Sequence, residues 1–239
     1  MNGFIYFSIN VRPAGFWKKW KEKMNKINEQ IYRLRTEYSQ KELLESEVNK
    51  DPVRQFEKWM QDALNADVME PHAMTLTTVN KDGKPSSRIV LLRDFGMDGF
   101  VFYTNYNSKK GRDIMDNPNV AMNFFWPQVE RQVRLEGVLE KVEGKISDEY
   151  FKSRPRESKI GAWVSEQSQE INDRSFLEEK FISLSQKYPG EEIPRPSYWG
   201  GYVMKPTFME FWQGRPGRMH DRISYLLKGS NWLIHRLSP

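Results

Sequence analysis

The sequence predicts an α+β fold centred on a small, mostly antiparallel β-barrel or sandwich with helices around it. Three observations lead there. Between residues 73 and 142 apolar residues alternate in successive short runs separated by tight turns, which is the period of half-buried strands. Outside that stretch the apolar spacing becomes helical. No Gly-x-Gly-x-x-Gly follows any strand, which removes a parallel dinucleotide-binding unit.

The elements follow in order. Phe16, Trp17, Trp20, Met24, Ile27, Ile31 and Leu34 recur at near-helical spacing with lysines between them, a basic amphipathic helix. Such a helix packs on the body or on a partner, or lies on a membrane surface. Met24 stands where the pattern is under way and offers an alternative start, with 1–23 then a dispensable extension. Asp51-Pro52 is a cap followed by a first-turn proline. Val53, Phe56, Trp59, Met60, Ala63 and Leu64 then make one apolar face. Ala73–Val79 reads as a strand, 81–84 as a turn, and Ser87–Arg93 as its hairpin partner. The strand Phe100–Thr104 follows the turn at Gly96–Gly99. Ser108 caps a short helix through Met115, and Asn117-Pro118 closes it. Val120–Trp126 and Arg131–Val142 are two further strands. Residues 147–187 read as helical and polar, and Gly190–Gly201 as loop. The tail reads as strands at Thr207–Trp212, Arg218–Leu226 and Trp232–Arg236. The organisation expected is an N-terminal extension over 1–34 and one domain over 35–239.

Composition narrows the chemistry. The 239 residues include no cysteine, which excludes disulfides, thiolate metal sites and thiol nucleophiles, and three histidines, which disfavours a multi-histidine metal centre. Redox chemistry therefore has to come from a bound cofactor. The net charge is +5, but residues 1–30 hold six basic against two acidic residues, +4 of that total. The rest is nearly neutral, which disfavours a nucleic-acid-binding body. No stretch approaches the ~20 apolar residues of a membrane span, and the first ten residues lack the charged region of a secretory signal.

Four constellations carry chemistry. Arg88 and Arg93 bracket the run Ile89-Val90-Leu91-Leu92, and on one strand an odd spacing points them to opposite sides. They are either strand-end snorkelling groups or two anion anchors. Tyr103-Thr104-Asn105 precedes Ser108-Lys109-Lys110, where a helix start beside two lysines can cradle a phosphate or simply be solvated. Tyr150, Arg154 and Ser158 fall at steps of four and could grip a phosphate, although Pro155 interrupts the helix; the plain alternative is a charged surface turn. Finally, Glu210-Phe211-Trp212-Gln213-Gly214 leads into Arg218-Met219-His220-Asp221-Arg222. Strand alternation places Arg218, His220 and Arg222 on one face, a cationic grouping that calls for an anionic partner.

The set RIVLLR (88–93), YTN (103–105), ERQVRLEG (130–137), YFKSRPRESKIGAWVSEQS (150–168), WGG (199–201), EFWQG (210–214) and RMHDR (218–222) resembles the pyridoxine/pyridoxamine 5′-phosphate oxidase family from about Arg35 to Pro239. The resemblance implies an FMN-binding split barrel, a homodimer with FMN at its interface, and a cytoplasmic enzyme of vitamin B6 metabolism. Its reaction oxidises pyridoxamine or pyridoxine 5′-phosphate to pyridoxal 5′-phosphate, with O2 reduced to H2O2. It further implies flavin contacts at Arg88, Ile89, Val90, Leu91, Leu92, Arg93, Tyr103, Thr104, Lys109, Lys110, Gln132, Gln167, Ser168, Trp212 and Arg222. Substrate phosphate is expected at Arg93, Tyr150, Arg154 and Ser158, and the substrate ring at Arg218, Met219 and His220, with Arg218 and His220 the catalytic pair. Arg35, Thr36, Glu37 and Tyr38 match a segment that in the family closes over substrate. Three departures stand out: Arg93 where lysine is usual, Lys109 where arginine is usual, and Met219 for leucine. The alternative is a split-barrel protein that holds FMN or pyridoxal phosphate without turnover. The Arg218–Arg222 segment separates the two, because a flavin carrier needs no second cationic pocket.

Overall fold

The computed structural model describes residues 14–34 and 37–239, with side chains from Lys23 onward; Arg35 and Thr36 lie outside the described residues. The chain divides into two units between Glu37 and Tyr38. The first contains helix α1, Ala14–Arg33, where the basic amphipathic pattern predicts one. Among the described residues no helix is long and apolar enough to cross a membrane.

The second unit is built on a single antiparallel sheet. Its strands are β1 (Ala73–Val79), β2 (Pro85–Leu91), β3 (Asp94–Gly96), β4 (Gly99–Asn105), β5 (Asn119–Trp126), β6 (Arg131–Lys141), β7 (Trp199–Gln213), β8 (Asp221–Lys228) and β9 (Asn231–Arg236). They run in the order β2-β1-β5-β6-β7-β4-β3, with β8 on β7 and β9 on β8. The sheet curls into the split barrel that the resemblance implies.

Helix α2 (Pro52–Asn65) starts where Asp51 accepts the amide protons of Val53 and Arg54. Phe56, Trp59, Met60 and Ala63 drive into the barrel, and Phe56 meets Phe95, Phe100 and Phe124 edge-on at 5.0–5.1 Å. Leu64, assigned to the same face by spacing, is 51% exposed, because it sits one step past the stripe that contacts the sheet. Helix α3 (Lys109–Asp116) has the expected Ser108 cap. The polar stretch after β6 is three helices: α4 (Gly144–Ser153), α5 (Arg156–Val164) and α6 (Ser175–Lys187). They surround a second core of Phe151, Ile160, Ala162, Val164, Ile193 and Trp199.

Strand β7 organises the unit. Its first residues pair with β4, from Asn105↔Trp199 to Phe100↔Met204, and its last pair with β6 and β8, ending at Arg131↔Gln213 and Gln213↔Asp221. Trp199-Gly200-Gly201, read from sequence as loop, is thus the beginning of the longest strand. The glycines concealed it, because they lower strand propensity while permitting close packing. A Cβ on Gly201 would lie 2.8 Å from the Tyr103 ring.

Candidate active site

Two groups of predicted residues assemble in the second unit, at different places. The first is a cleft of about 430 Å3 beside the β4–β7 pairing, lined by Arg88, Ile89, Val90, Leu91, Arg93, Tyr103, Thr104, Lys110, Tyr150, Arg154, Gln167 and Trp199. Four of these carry positive charge and none is a carboxylate.

Arg88 and Arg93 both line this cleft, against the expectation that they face apart. β2 ends at Leu91 and the chain then changes partners. Leu92 N–H donates to His72 O and Arg93 N–H to Val101 O, so strand parity does not reach Arg93. Leu92 turns its side chain into the core instead. Arg88 is held by Leu76 O, Thr78 Oγ1 and Ser86 Oγ at 2.8–3.1 Å, with Asp113 at 3.9 Å. Burial lowers its pKa.

Ser108 positions α3 so that Lys110 reaches inward. Lys110 Nζ donates to Thr104 Oγ1, Ser108 Oγ and Gln167 Oε1 at 3.1–3.3 Å. Burial, and then repulsion from Arg88, push its pKa down to about 8. Lys109 goes elsewhere: its Nζ bonds the Asp113 carboxylate at 2.9 Å, while its backbone N–H donates to Ser168 Oγ. Lys109 and Ser168 therefore stand beside the cleft, outside its lining.

Tyr150 and Arg154 enter from the end of α4. Pro155 stops that helix, so the predicted step-of-four alignment holds for this pair only; Ser158 begins the next helix and is not part of the lining. Tyr103 and Tyr150 stack at 3.8 Å and 12°. Burial raises the Tyr103 pKa and lowers that of Arg154. Arg154 Nη1 is shut off from water with no hydrogen-bond partner.

The second group lies at the other end of β7. Trp212 pairs with Gln132 on β6 and Arg222 on β8. His220 lies 4.6 Å from the Trp212 ring, and Tyr38 meets both rings edge-on at 5.5 and 5.7 Å. A Cβ on Gly214 would sit 2.6 Å from Tyr38 Cγ, so glycine is what admits that ring. Ser39 and Gln40 donate their backbone N–H groups to Glu130 Oε2 at 2.9 and 3.0 Å, which anchors the segment carrying Tyr38. Glu37 is exposed.

The expected strand face of Arg218, His220 and Arg222 does not form. Pro216–Arg218 is a 3₁₀ turn, β8 begins only at Asp221, and Arg218 adopts φ +62°. Proline and the positive-φ Gly217 set the turn, which leaves Arg218 and Met219 exposed. His220 Nδ1 accepts the Arg215 N–H at 3.1 Å, so a neutral ring carries its proton on Nε2. Burial and then Arg218 lower its pKa. Arg222 is no free anion anchor. Its Nε and Nη2 grip Glu210, itself 2% exposed, at 2.9 and 3.0 Å.

Sequence reasoning missed Glu130, Glu210, Asp113 and Trp199. Asp113 was accessible as the fourth residue after Lys109, a helical ion-pair spacing. Trp199 and Glu210 both sit in quoted motifs, but nothing in a strand pattern says which side chain a carboxylate or ring will hold.

Curled antiparallel strands with a cation-lined cleft at their side define a split-barrel protein suited to phosphorylated ligands. Comparison with known proteins narrows the class. Residues 60–188 match the family model described as pyridoxamine 5′-phosphate oxidase, and 199–239 the pyridoxine 5′-phosphate oxidase C-terminal dimerisation region. A pyridoxine/pyridoxamine 5′-phosphate oxidase of Cyanothece is 49% identical over 209 residues, 87% of this chain and 98% of its own length. One from Cytophaga hutchinsonii is 53% identical over 208 residues, 86% of this chain and 97% of its own. The structure of PhzG from Burkholderia lata, in complex with tetrahydrophenazine-1-carboxylic acid, superposes with a TM-score of 0.79 at 27% identity, covering 84% of this chain and all of that one. This chain belongs to the pyridoxine/pyridoxamine 5′-phosphate oxidase family.

Proposed function

We propose that this chain is an FMN-dependent oxidase of vitamin B6 phosphates, active as a homodimer. Pyridoxamine 5′-phosphate, O2 and water give pyridoxal 5′-phosphate, ammonia and H2O2; pyridoxine 5′-phosphate and O2 give pyridoxal 5′-phosphate and H2O2. The observation that carries this is the cleft itself, with four cations and no carboxylate in its lining, in a chain about half identical to oxidases of that name. A cytoplasmic location accompanies the reading.

The residues present fit FMN. Lys110, Thr104 and Gln167 form a half-buried donor and acceptor cluster beside Arg88, suited to a flavin phosphate, and exposed Ile89 offers an apolar edge to its ring. When bound, FMN would supply the two-electron redox chemistry that couples the substrate to O2. Everything else falls to the chain. Arg93, Tyr150 and Arg154 hold the substrate phosphate; the partnerless Arg154 Nη1 supports this role. Arg218 orients the substrate ring. Neutral His220 offers its Nε2 proton to a ring substituent, while Tyr38 and Trp212 keep water from the ring.

FMN lies at the interface between two copies in this reading. Tyr103 pairs with Gly201 and Gln132 with Trp212, eleven residues apart on β7. At ~3.3 Å per residue that is up to about 36 Å along the strand, a span that favours two chains over one as the source of the two groups around a single small ligand. The match of 199–239 to a dimerisation region supports a second copy as the source of the missing half.

The direct test supplies purified, flavin-loaded protein with pyridoxamine 5′-phosphate under air. Aldehyde and peroxide should appear in equal amounts; neither appearing would overturn the oxidase reading.

A further inference from the structure

Arg154 is held in a state that needs explanation. It shares the cleft with Arg93, whose charge works against its own. It makes no ion pair among the described residues, and its Nη1 is buried without a partner. A long cationic side chain so placed would ordinarily swing its head into water. Two ring faces oppose that: the guanidinium carbon lies 4.6 Å from the centre of Trp199 and 5.4 Å from that of Phe151.

Trp199 is well placed to act as an anvil. It is 5% exposed and its backbone opens β7 opposite Asn105. Its carbonyl accepts Arg195 Nη1 at 2.6 Å, and Arg195 is pinned in turn by Asp148. The indole lies nearly parallel to Tyr103 (5.5 Å, 10°) and Tyr150 (6.2 Å, 2°), and Phe151 abuts it edge-on. The ring therefore cannot tilt without disturbing three neighbours.

We propose that Trp199 is a positioning residue that holds the Arg154 guanidinium on its indole face, pre-set for a phosphate oxygen, and so enforces the preference for phosphorylated over unphosphorylated substrate. The inference rests on the reading of Arg154 as a substrate-phosphate anchor. It explains why a tryptophan, rather than any apolar residue, begins β7: an aliphatic side chain fills the core equally but offers no negative ring face to a cation.

The test compares wild type, Trp199→Leu and Trp199→Phe as FMN-loaded enzymes, with pyridoxamine 5′-phosphate and with pyridoxamine. Trp199→Leu should lower the ratio of kcat/KM for the phosphorylated over the unphosphorylated substrate about tenfold, with the loss in KM rather than kcat. Trp199→Phe should recover most of that ratio. In an Arg154→Leu background, Trp199→Leu should change the ratio no further. An equal loss on both substrates, or an effect that adds to that of Arg154→Leu, would show a purely structural role and overturn the proposal. Absorbance titration of the same variants with pyridoxal 5′-phosphate and pyridoxal separates the two claims. If wild type binds but does not turn over, the oxidase reading fails, and the ratio of the two affinities still decides the role of Trp199.

Discussion

The two ends of β7 treat their cations in opposite ways. At its start, Arg93, Lys110 and Arg154 have no carboxylate within ion-pair distance among the described residues, and Arg88 has only Asp113 at 3.9 Å. At its far end the half-buried Arg222 is matched by Glu210 and Arg215 by Glu42 and Asp221, and the exposed Arg236 is matched by Glu45 and Asp221. Unmatched charge in a cleft is costly without a ligand, so the first region is built around an anion that arrives. Matched charge is scaffold. In the second region it fixes β8 and β9 so that aromatic rings and His220 are presented at a set geometry. In the proposed reading the first region takes phosphate, and the other offers ring surface and a neutral imidazole.

That contrast can be broken experimentally. The largest effect is expected at Arg218, the exposed cation of the second region that has no partner among the described residues. Arg218→Ala should lower kcat/KM by about a hundredfold or more, as expected when a reacting ring is left unaligned, while flavin absorbance stays with the protein. Loss of flavin instead would assign Arg218 to the first region.

Next is Lys110→Met, which should weaken FMN binding by about ten- to a hundredfold through loss of a charge-assisted contact. The sign of the pH effect follows from burial. Free Lys110 loses its proton as pH rises through about 8, and a bound phosphate favours the protonated form. Wild-type FMN affinity should therefore fall above about pH 8, and the fall should vanish in Lys110→Met. Fluorescence titration of released flavin reads both.

Glu130→Ala removes the acceptor for Ser39 and Gln40 N–H and should cost about 1–3 kcal/mol wherever those amides stay dry. If the Tyr38 segment serves the ring site, KM for substrate should rise with little change in FMN affinity.

The smallest effect is at His220. Because burial and Arg218 lower its pKa from 6.5, the neutral ring persists into mildly acidic solution. A decline in kcat/KM that tracks His220 should have its midpoint below pH 6.5 and be absent in His220→Asn.

The sequence shows the barrel well where strands alternate cleanly: β1 coincides with its predicted limits at Ala73 and Val79, and the Asp51 and Ser108 caps mark α2 and α3. It fails where backbone geometry overrides pattern. Arg93 escapes strand parity because the chain changes partner strand after Leu91, and Arg218 leaves its strand because Pro216 and Gly217 build a turn. Candidate residues were legible through the quoted motifs, but their partners were not. Arg222 meets Glu210 as a diagonal pair set by the β7–β8 register, which the displaced start of β8 hid, and no spacing rule links Arg154 to Trp199 across forty-five residues.

The central claim is that the two ends of β7 meet only between copies of the chain. The most direct test mixes Lys110→Met and Arg218→Ala subunits after dissociation and reassembly. With FMN held well below the weakened affinity of Lys110→Met, each variant alone should be nearly inactive. In a mixed dimer one site collects both lesions and the other none, so random reassembly of equal amounts should restore about one quarter of wild-type activity. A mixture that stays at the level of its parents would contradict the account, because each site would then be contained in a single chain.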